Sequence, residues 1–211
     1  MTMVANNSRG MYIVIEGMDG AGTTTQSRLL VDELNDQDRP TIWIKEPGGS
    51  YETLIRDILG RGIPLEIDAL PLLFARDRLD ILKTKIDPTL AAGVNVVSDR
   101  SFISSCIYQH TSTFERVGPE EVLAINDQMR RPDKLFVLQP TLEECKRRLG
   151  TRKSRDSMET DWMLAANHEC YACFINDNLH PDISRAFPDK IVIHDIGQGI
   201  AAIQATIQEN L

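Results

Sequence analysis

The stretch Met11-Tyr-Ile-Val-Ile-Glu16, followed directly by Gly17-Met-Asp-Gly-Ala-Gly22-Thr-Thr-Thr25, decides the fold. Its first six residues form an apolar run typical of a buried strand, and Leu29, Leu30 and Leu34 continue beyond it at helical spacing. A glycine-rich turn between a strand and a helix points successive backbone N–H groups at an anion, and the helix N-terminus reinforces them. The sequence therefore predicts a phosphate-binding loop.

The loop departs at one position from the usual phosphate-binding pattern, G-x-x-x-x-G-K-[ST]. Gly17, Gly22 and Thr24 fit the pattern, whereas Thr23 stands where the lysine belongs. A threonine hydroxyl is neutral and cannot replace the lysine charge. Taken alone, the stretch leaves open a plain strand–turn–helix whose glycines serve close packing.

Outward from this loop, short β-branched runs alternate with helical patterns. The predicted strands are 11–16, 41–44, 94–97, 134–138 and 190–193. The predicted helices are 25–34, 51–59, 67–91, 102–109, 120–129, 142–149, 158–179 and 200–208. Strands separated by helices favour the α/β class, with a five-stranded parallel sheet covered on both faces in an α/β/α sandwich.

Length and composition limit the class of protein. The 211 residues, of which 42% are hydrophobic and 26% charged, suit a single domain over 1–211 with a flexible N-terminus at 1–10. A net charge of −8 argues against nucleic-acid or membrane-surface binding. No apolar run approaches the roughly 20 residues of a membrane-spanning helix. The polar N-terminus and four irregularly spaced cysteines favour a cytoplasmic protein.

Five blocks of the sequence resemble the thymidylate kinase family, in the family's order and spacing. They are Ile15-Glu-Gly-Met-Asp-Gly-Ala-Gly22 with Thr24-Thr25-Gln26, Lys45-Glu-Pro-Gly-Gly-Ser50, Leu73-Phe-Ala-Arg-Asp-Arg78, Ser98-Asp-Arg100 with the serines and tyrosine that follow, and Arg131-Pro-Asp133. The second block is similar to the bacterial R-E-P-G-G-T. The resemblance implies a P-loop sandwich that transfers the γ-phosphoryl group of ATP, with Mg²⁺, to thymidine monophosphate. It also implies a homodimer.

On the donor side, the resemblance implies that ATP phosphates bind the loop. The residues concerned are Gly17, Gly20, Ala21, Gly22, Thr23, Thr24 and Thr25. Mg²⁺ would contact the Thr24 hydroxyl and, through a water, Asp99. An alternative for Asp99 is to cap the N-terminus of the helix that follows.

On the acceptor side, the resemblance implies that Asp19 and Arg100 are catalytic residues. Asp19 would contact the acceptor sugar and the surroundings of its phosphate, and Arg56 and Arg100 would grip the monophosphate. Phe74 would stack on thymine and Arg78 would donate to a ring carbonyl. The other implied acceptor-binding residues are Glu46, Ser104, Ser105, Tyr108 and Gln109. The plainer alternatives are a surface turn for Asp19, a solvated helix face for Arg56 and a core position for Phe74.

A basic cluster follows the fourth predicted strand. Residues 146–155 contain six lysines and arginines and no acid, in a chain that is acidic as a whole. They predict a small basic lid at about 149–158 that closes over the donor phosphates. The resemblance to bacterial members of the family implies that Arg152 and Arg155 are its catalytic arginines. A solvated basic helix face is the alternative.

Two departures from the family leave alternatives open. Ser101 and Ile103 replace residues near the implied base and sugar, which raises the hypothesis of a 5-substituted deoxyuridine monophosphate as acceptor. Thr23 raises a second hypothesis, a weak or silent nucleotide-binding protein.

Overall fold

The structure, a computed structural model, describes residues 9–63, 65–66, 69–150, 160–195, 197 and 199–211. Its strands are β1 (Tyr12–Gly17), β2 (Thr41–Lys45), β3 (Asn95–Asp99), β4 (Lys134–Pro140) and β5 (Ile191–Asp195). All described pairings are parallel, and the strand order is β2-β3-β1-β4-β5. The predicted five-stranded parallel sheet is confirmed.

The helices that cover this sheet agree with the predicted pattern, with some corrections to their ends. They are α1 (Thr23–Asp36), α2 (Glu52–Arg61), α3 (Ala69–Ile81), α4 (Asp87–Ala91), α5 (Phe102–Ser112), α6 (Pro119–Ile125), α7 (Leu142–Gly150), α8 (Asp161–Ile175), α9 (Pro181–Ala186) and α10 (Ile200–Glu209). A π-helical turn, Leu82–Ile86, joins α3 to α4, so the predicted helix 67–91 is not uniform. The predicted helix over 158–179 runs past the end of α8 at Ile175, and no prediction covered α9, which begins at Pro181 with His180 as its N-cap.

Strand β1 lies at the centre of the sheet, and every one of its residues is buried. Ile13, Val14 and Ile15 have no exposed surface, as expected of a parallel strand covered on both faces. Strands β3 and β4 flank β1, and the chain runs outward from it in both directions. In such sheets ligands bind beyond the carboxyl ends of the strands, where the order reverses. The glycine-rich loop leaves β1 at that place.

The sheet register brings the ends of β2 and β3 level with each other and within two residues of the end of β1. Asp99 of β3 pairs with Ile15 of β1 on one side and with Lys45 of β2 on the other. The residues that follow these strands therefore gather at one edge of the sheet.

Residues 1–8 of the predicted flexible N-terminus lie outside the described residues. Of its last two residues, Arg9 donates to the Asp133 carboxylate at 2.7 Å, and the Gly10 amide donates to the Leu90 carbonyl at 2.8 Å. The four cysteines are free thiols. Among the described residues, no helix combines the length and apolar character that crossing a membrane requires.

Candidate active site

The glycine-rich loop has a backbone that only glycine adopts easily at two positions. Gly20 and Gly22 have φ values of 84° and 98°, in the left-handed region. At Gly20 a Cβ atom would also lie 2.7 Å from the carbonyl oxygen of Cys145. Gly22 immediately precedes α1, whose first N–H groups have no carbonyl one turn back. The loop therefore presents backbone amides, from Gly22 onward, to an anion.

The three threonines after Gly22 have different environments. Thr23, at the usual lysine position, is buried, and its methyl group lies close to the backbone of Gly17. Thr24 is partly buried and turns its hydroxyl toward β3, whereas the Thr25 side chain is exposed. The side chains at 23–25 therefore supply hydroxyl groups and no positive charge.

Thr24, Asp99 and Lys45 form a compact polar cluster beside the loop. The Thr24 hydroxyl donates to Asp99 Oδ2 at 2.5 Å, and Lys45 Nζ lies 3.1 Å from Thr24 Oγ1 and 3.2 Å from Asp99 Oδ2. Asp99 does not cap α5, because the hydroxyl of Ser101 accepts the capping bond from the Ile103 amide. The N-cap alternative for Asp99 is therefore wrong.

The Thr24–Asp99 pair fits the Mg²⁺ ion that the sequence analysis expects. Asp99 Oδ1 is buried and has no hydrogen-bond partner within the described part of the chain. A hydroxyl and one carboxylate suit a hard cation that keeps several waters and phosphate oxygens as ligands. The described residues contain no group of three or more histidines, cysteines and acids that would hold a metal by protein ligands alone. An ion here would need oxygens from water or a nucleotide.

A second cluster joins the loop to the start of α5. Arg100 donates to Asp19 Oδ1 at 2.5 Å and to the Ser104 hydroxyl at 2.9 Å, and the Tyr108 hydroxyl donates to Asp19 Oδ2 at 2.9 Å. Arg100 has a φ of 77°, a strained value for a residue with a side chain, and such strain concentrates at functional sites. Asp19 is therefore held in an ion pair, and the surface-turn alternative does not describe it.

Burial and nearby acids act on the Arg100 guanidinium in opposite directions. Burial lowers the pKa of Arg100, but the adjacent acidic groups of Tyr108 and Asp19 raise it, and the pKa lies well above its ordinary value. Burial is also the main cause of the raised pKa of Tyr108, so its hydroxyl stays protonated. This cluster thus keeps a fixed positive charge and a hydrogen-bond donor.

One cleft opens beside this second cluster and collects the sequence-predicted acceptor residues. Its lining includes Asp19, Glu46, Arg56, Phe74, Arg78, Arg100, Ser104, Ser105, Tyr108 and Gln109. Ser101, which was expected near the base and sugar, and Lys45, to which the sequence analysis gave no role, line it as well. The cleft therefore brings together residues from four separate sequence blocks.

Arg78 forms the inner wall of the cleft. Its guanidinium donates to Glu46 Oε2 at 2.5 Å, to Asn126 Oδ1 at 2.6 Å and to the Ser105 hydroxyl at 3.0 Å. Burial raises the pKa of Glu46, and Arg78 opposes that rise. These contacts fix the plane of the Arg78 guanidinium.

The remaining cleft residues differ in how firmly they are held. Arg56 donates to Glu52 at 2.7 Å, and half of its side chain is exposed. Phe74 is half-buried and lies on the cleft wall, outside the main hydrophobic core. Gln109 is buried, and its Oε1 has no partner among the described residues. The cleft thus offers a half-exposed cation, an aromatic face and an acceptor oxygen.

Comparison with known proteins covers nearly the whole chain. A sequence model of the thymidylate kinase family matches residues 15–207. The chain belongs to the thymidylate kinase family. It is therefore a nucleoside monophosphate kinase, and a P-loop and ATP binding are typical of that family.

Similar proteins come from archaea, bacteria and a fungus. A probable thymidylate kinase of Methanococcus aeolicus is 36% identical over 80% of this chain and 81% of its own. One from Thermococcus kodakarensis is 33% identical over 94% of this chain and its own full length. The thymidylate kinase of Bordetella petrii is 29% identical over 97% of this chain and 96% of its own length. The solved structure of thymidylate kinase from Candida albicans, 22% identical, superposes with a TM-score of 0.74 over 96% of this chain and 91% of its own, and shows the same fold.

In this thymidylate kinase family member, Glu16 is a site residue that sequence reasoning missed. Its carboxylate accepts hydrogen bonds from the Ser101 amide at 3.0 Å, the Ser104 hydroxyl at 2.6 Å and the Tyr171 hydroxyl at 2.8 Å. It thereby fixes two serines of the cleft wall. The sequence signal that could have found it is an acidic residue that ends an otherwise apolar strand pattern. The structure shows that this acid is fully buried.

Ser101 and Ile103, which depart from the family near the implied base, both have structural roles in this protein. Ser101 donates to Glu16 and caps α5, and Ile103 is buried in the hydrophobic core. Ile103 therefore does not enlarge the cleft. This removes one of the two observations behind the hypothesis of a 5-substituted acceptor.

The basic cluster is partly neutralised by acids outside the 146–155 segment. Arg148 donates to Glu144 at 2.7 Å, to Asp195 at 2.5 Å and to the loop carbonyl of Ala21 at 3.2 Å. Arg147 pairs with the same Glu144. Arg148 thus braces the loop from α7, a contact the sequence analysis did not predict. The predicted lid arginines, Arg152 and Arg155, lie outside the described residues.

Proposed function

We propose that this protein transfers the γ-phosphoryl group of ATP to thymidine monophosphate, giving thymidine diphosphate and ADP. The single observation that carries the proposal is the position of the acceptor cleft, which opens next to the loop of backbone amides. Phosphoryl transfer requires two bound phosphates to be aligned and their charge neutralised, more than it requires covalent chemistry by the protein. A cleft beside an anion-binding loop meets both requirements.

The acceptor phosphate would bind between Arg56 and Arg100. Guanidinium groups donate in pairs to phosphate oxygens, and Arg100 is already oriented by Asp19. Within the described residues, Arg56 is held at Nε by Glu52 and by a weak contact to the Pro47 carbonyl, and it would close on the phosphate as it arrives. We assign Asp19 the role of orienting Arg100 rather than touching the transferred group.

The thymine base would stack on Phe74 and present its polar edge to Arg78 and Gln109. Thymine has ring carbonyl acceptors and one ring N–H donor. Arg78 supplies N–H donors, and the Gln109 Oε1 atom is an acceptor that needs a donor. A buried site that must pair both groups discriminates against bases with another donor pattern.

On the donor side, the triphosphate would bind the amides of the loop from Gly20 to Thr24. Mg²⁺, held by the Thr24 hydroxyl and through water by Asp99, would supply positive charge to the phosphate oxygens. We further propose that Arg152 and Arg155 close over the donor. The homodimer and the cytoplasmic location stay predictions.

An acceptor panel tests this proposal. ADP release is followed with ATP, Mg²⁺ and, in separate reactions, the monophosphates of thymidine, deoxyuridine, deoxycytidine and 5-hydroxymethyldeoxyuridine. We expect the highest kcat/KM with thymidine monophosphate. Turnover no faster than background with every acceptor would instead support a silent nucleotide-binding protein, and a better 5-hydroxymethyl acceptor would reinstate the alternative substrate.

A further inference from the structure

The donor half of the site lacks a cation on the loop itself, because position 23 is a threonine. We propose that Lys45, which reaches in from β2, supplies the positive charge to the donor phosphates that the usual P-loop pattern places on the loop. This inference rests on the proposed function for the identity of the donor.

The sheet register fixes Lys45 beside the loop. Lys45 and Asp99 are paired neighbours at the carboxyl ends of β2 and β3, so their side chains leave the same face of the sheet. The Thr24 hydroxyl meets Asp99 on that face. The location of the ammonium group is therefore a consequence of strand pairing and does not depend on a loop conformation.

The contacts of Lys45 place its charge one residue away from the missing lysine. Its Nζ lies 3.1 Å from the hydroxyl of Thr24, which directly follows Thr23. About a third of its side chain, 34%, is exposed, and it also lines the acceptor cleft. The ammonium group thus lies between the donor loop and the acceptor cleft, where the transferred group must pass.

Lys45 has capacity left for a phosphate oxygen. An ammonium group has three N–H donors, and the contacts to Thr24 and Asp99 use two of them. A lysine is also a compact charge on a flexible stem, which suits a phosphate that changes position during transfer. A purely structural counter-ion of Asp99 is the competing explanation, and it predicts no preference for nucleotides with more phosphates.

The first experiment compares ligands that differ in their phosphates. Affinities for a β,γ-imido ATP analogue with Mg²⁺ and for AMP are measured by titration calorimetry, with competition for the weaker ligand. We expect Lys45→Met to weaken binding of the ATP analogue at least tenfold and binding of AMP less than threefold. The control, Lys83→Met, removes an exposed lysine from the π-helical turn and should change neither. An unchanged analogue affinity, or an equal loss for both ligands, would overturn the proposal.

The second experiment moves the charge back to the loop. Loss of one preorganised donor typically costs about 10²–10³ in rate, so Lys45→Met should lower kcat by about that factor. Thr23→Lys should raise kcat at least tenfold in the Lys45→Met background and less than threefold in the wild type. Equal gains in the two backgrounds would mean that the positions act independently, which contradicts the proposal.

Two readouts keep these outcomes separable. Thermal unfolding of each variant is recorded, and should Thr23→Lys fail to fold, the comparison of the ATP analogue with AMP decides alone. A wild-type protein that does not phosphorylate thymidine monophosphate would contradict the proposed function, and the analogue titration would still judge Lys45.

Discussion

The acceptor and donor halves of the site obtain their positive charge in different ways. Around the acceptor cleft, which Lys45 also lines, the guanidinium groups of Arg56, Arg78 and Arg100 supply most of the positive charge, and the resemblance to the family implied all three. At the donor loop, binding capacity comes from backbone amides, and the neighbouring ammonium group belongs to another strand, at Lys45. The difference shows that a charge can be supplied from another element when the sheet register brings strand ends together.

Electrostatics explains why such a change of element is tolerated. The Coulomb interaction energy between a cationic side chain and a phosphate depends on their distance and on the surrounding medium. It does not depend on which helix, strand or loop carries the cation. Because the chain has a net charge of −8, phosphate binding in the donor half depends on where the few cations near the loop lie. The comparison therefore predicts that the acceptor half fails when one arginine is lost, and that the donor half depends on loop geometry and on the Asp99 cluster.

The largest expected effect is on the acceptor side, at Arg100→Ala. Removing this buried guanidinium takes away a phosphate ligand and leaves Asp19 without its ion-pair partner. Arginines that neutralise a transferred phosphoryl group are worth about 10³–10⁵ in rate, so we expect kcat to fall by about 10³ or more. Steady-state kinetics with thymidine monophosphate measures it. Arg28→Ala, which removes an exposed arginine stacked on Trp43, is the control, and a loss below tenfold at Arg100 would contradict its role.

A smaller loss is expected on the donor side for Asp99→Asn. The substitution keeps the shape of the side chain but removes the charge that faces Lys45 and the orphaned acceptor Oδ1. Changes to groups that hold a metal's ligands typically cost about 10–100-fold in metal affinity, so the Mg²⁺ concentration for half-maximal rate should rise by about that factor. A magnesium titration of activity measures it. Asp127→Asn, on the exposed surface, should leave the titration unchanged.

The difference between the acceptor and donor halves also explains which parts of the site the sequence predicted. The α/β class followed from period and turn chemistry, and the acceptor residues followed from side chains in short blocks of fixed spacing. Asp19, Arg100 and Tyr108 occupy one cluster, as the resemblance to the family implied.

The contacts of Lys45 and Arg148 beside the donor loop could not be predicted, because they depend on how distant elements come together in the fold. Lys45 meets Asp99 through the pairing of β2 with β3, and Arg148 of α7 meets Asp195 at the end of β5. Residues separated by 54 or 47 positions carry no local signal of such contacts. The π-helical turn at Leu82–Ile86 escaped prediction for a related reason, because its apolar spacing resembles that of an ordinary helix.

Gly20→Ala tests the donor loop as a backbone device. A side chain at a left-handed φ costs about 1–2 kcal/mol, and the added Cβ would lie 2.7 Å from the Cys145 carbonyl oxygen, so the loop must shift. We expect the free energy of unfolding to fall by about 2 kcal/mol and the ATP analogue to bind more weakly. Urea unfolding and calorimetry measure the two effects. Gly60→Ala, in an exposed part of α2 with nothing near the added methyl, should instead stabilise by about 0.5–1 kcal/mol.

The smallest expected effect separates base binding from core packing at Phe74. Aromatic stacking is worth about 1–3 kcal/mol per base, so Phe74→Ala should raise the KM for thymidine monophosphate by about tenfold. The KM for ATP should change less than twofold, because Phe74 lines the acceptor cleft and belongs to no part of the donor loop. Both constants are obtained from initial rates at saturating concentration of the other substrate.

The control for Phe74 is its exposed neighbour on α3, Leu72→Ala, which should alter neither constant. Deleting a core phenylalanine costs about 3–5 kcal/mol of stability, whereas a half-buried ring on a cleft wall should cost less than about 1.5 kcal/mol. A large loss of stability with an unchanged KM for thymidine monophosphate would return Phe74 to the core and remove the base-stacking role. A raised KM with near-normal stability would mean that the ring binds the acceptor, and would set the two halves of the site apart by their substrates as well as by their charges.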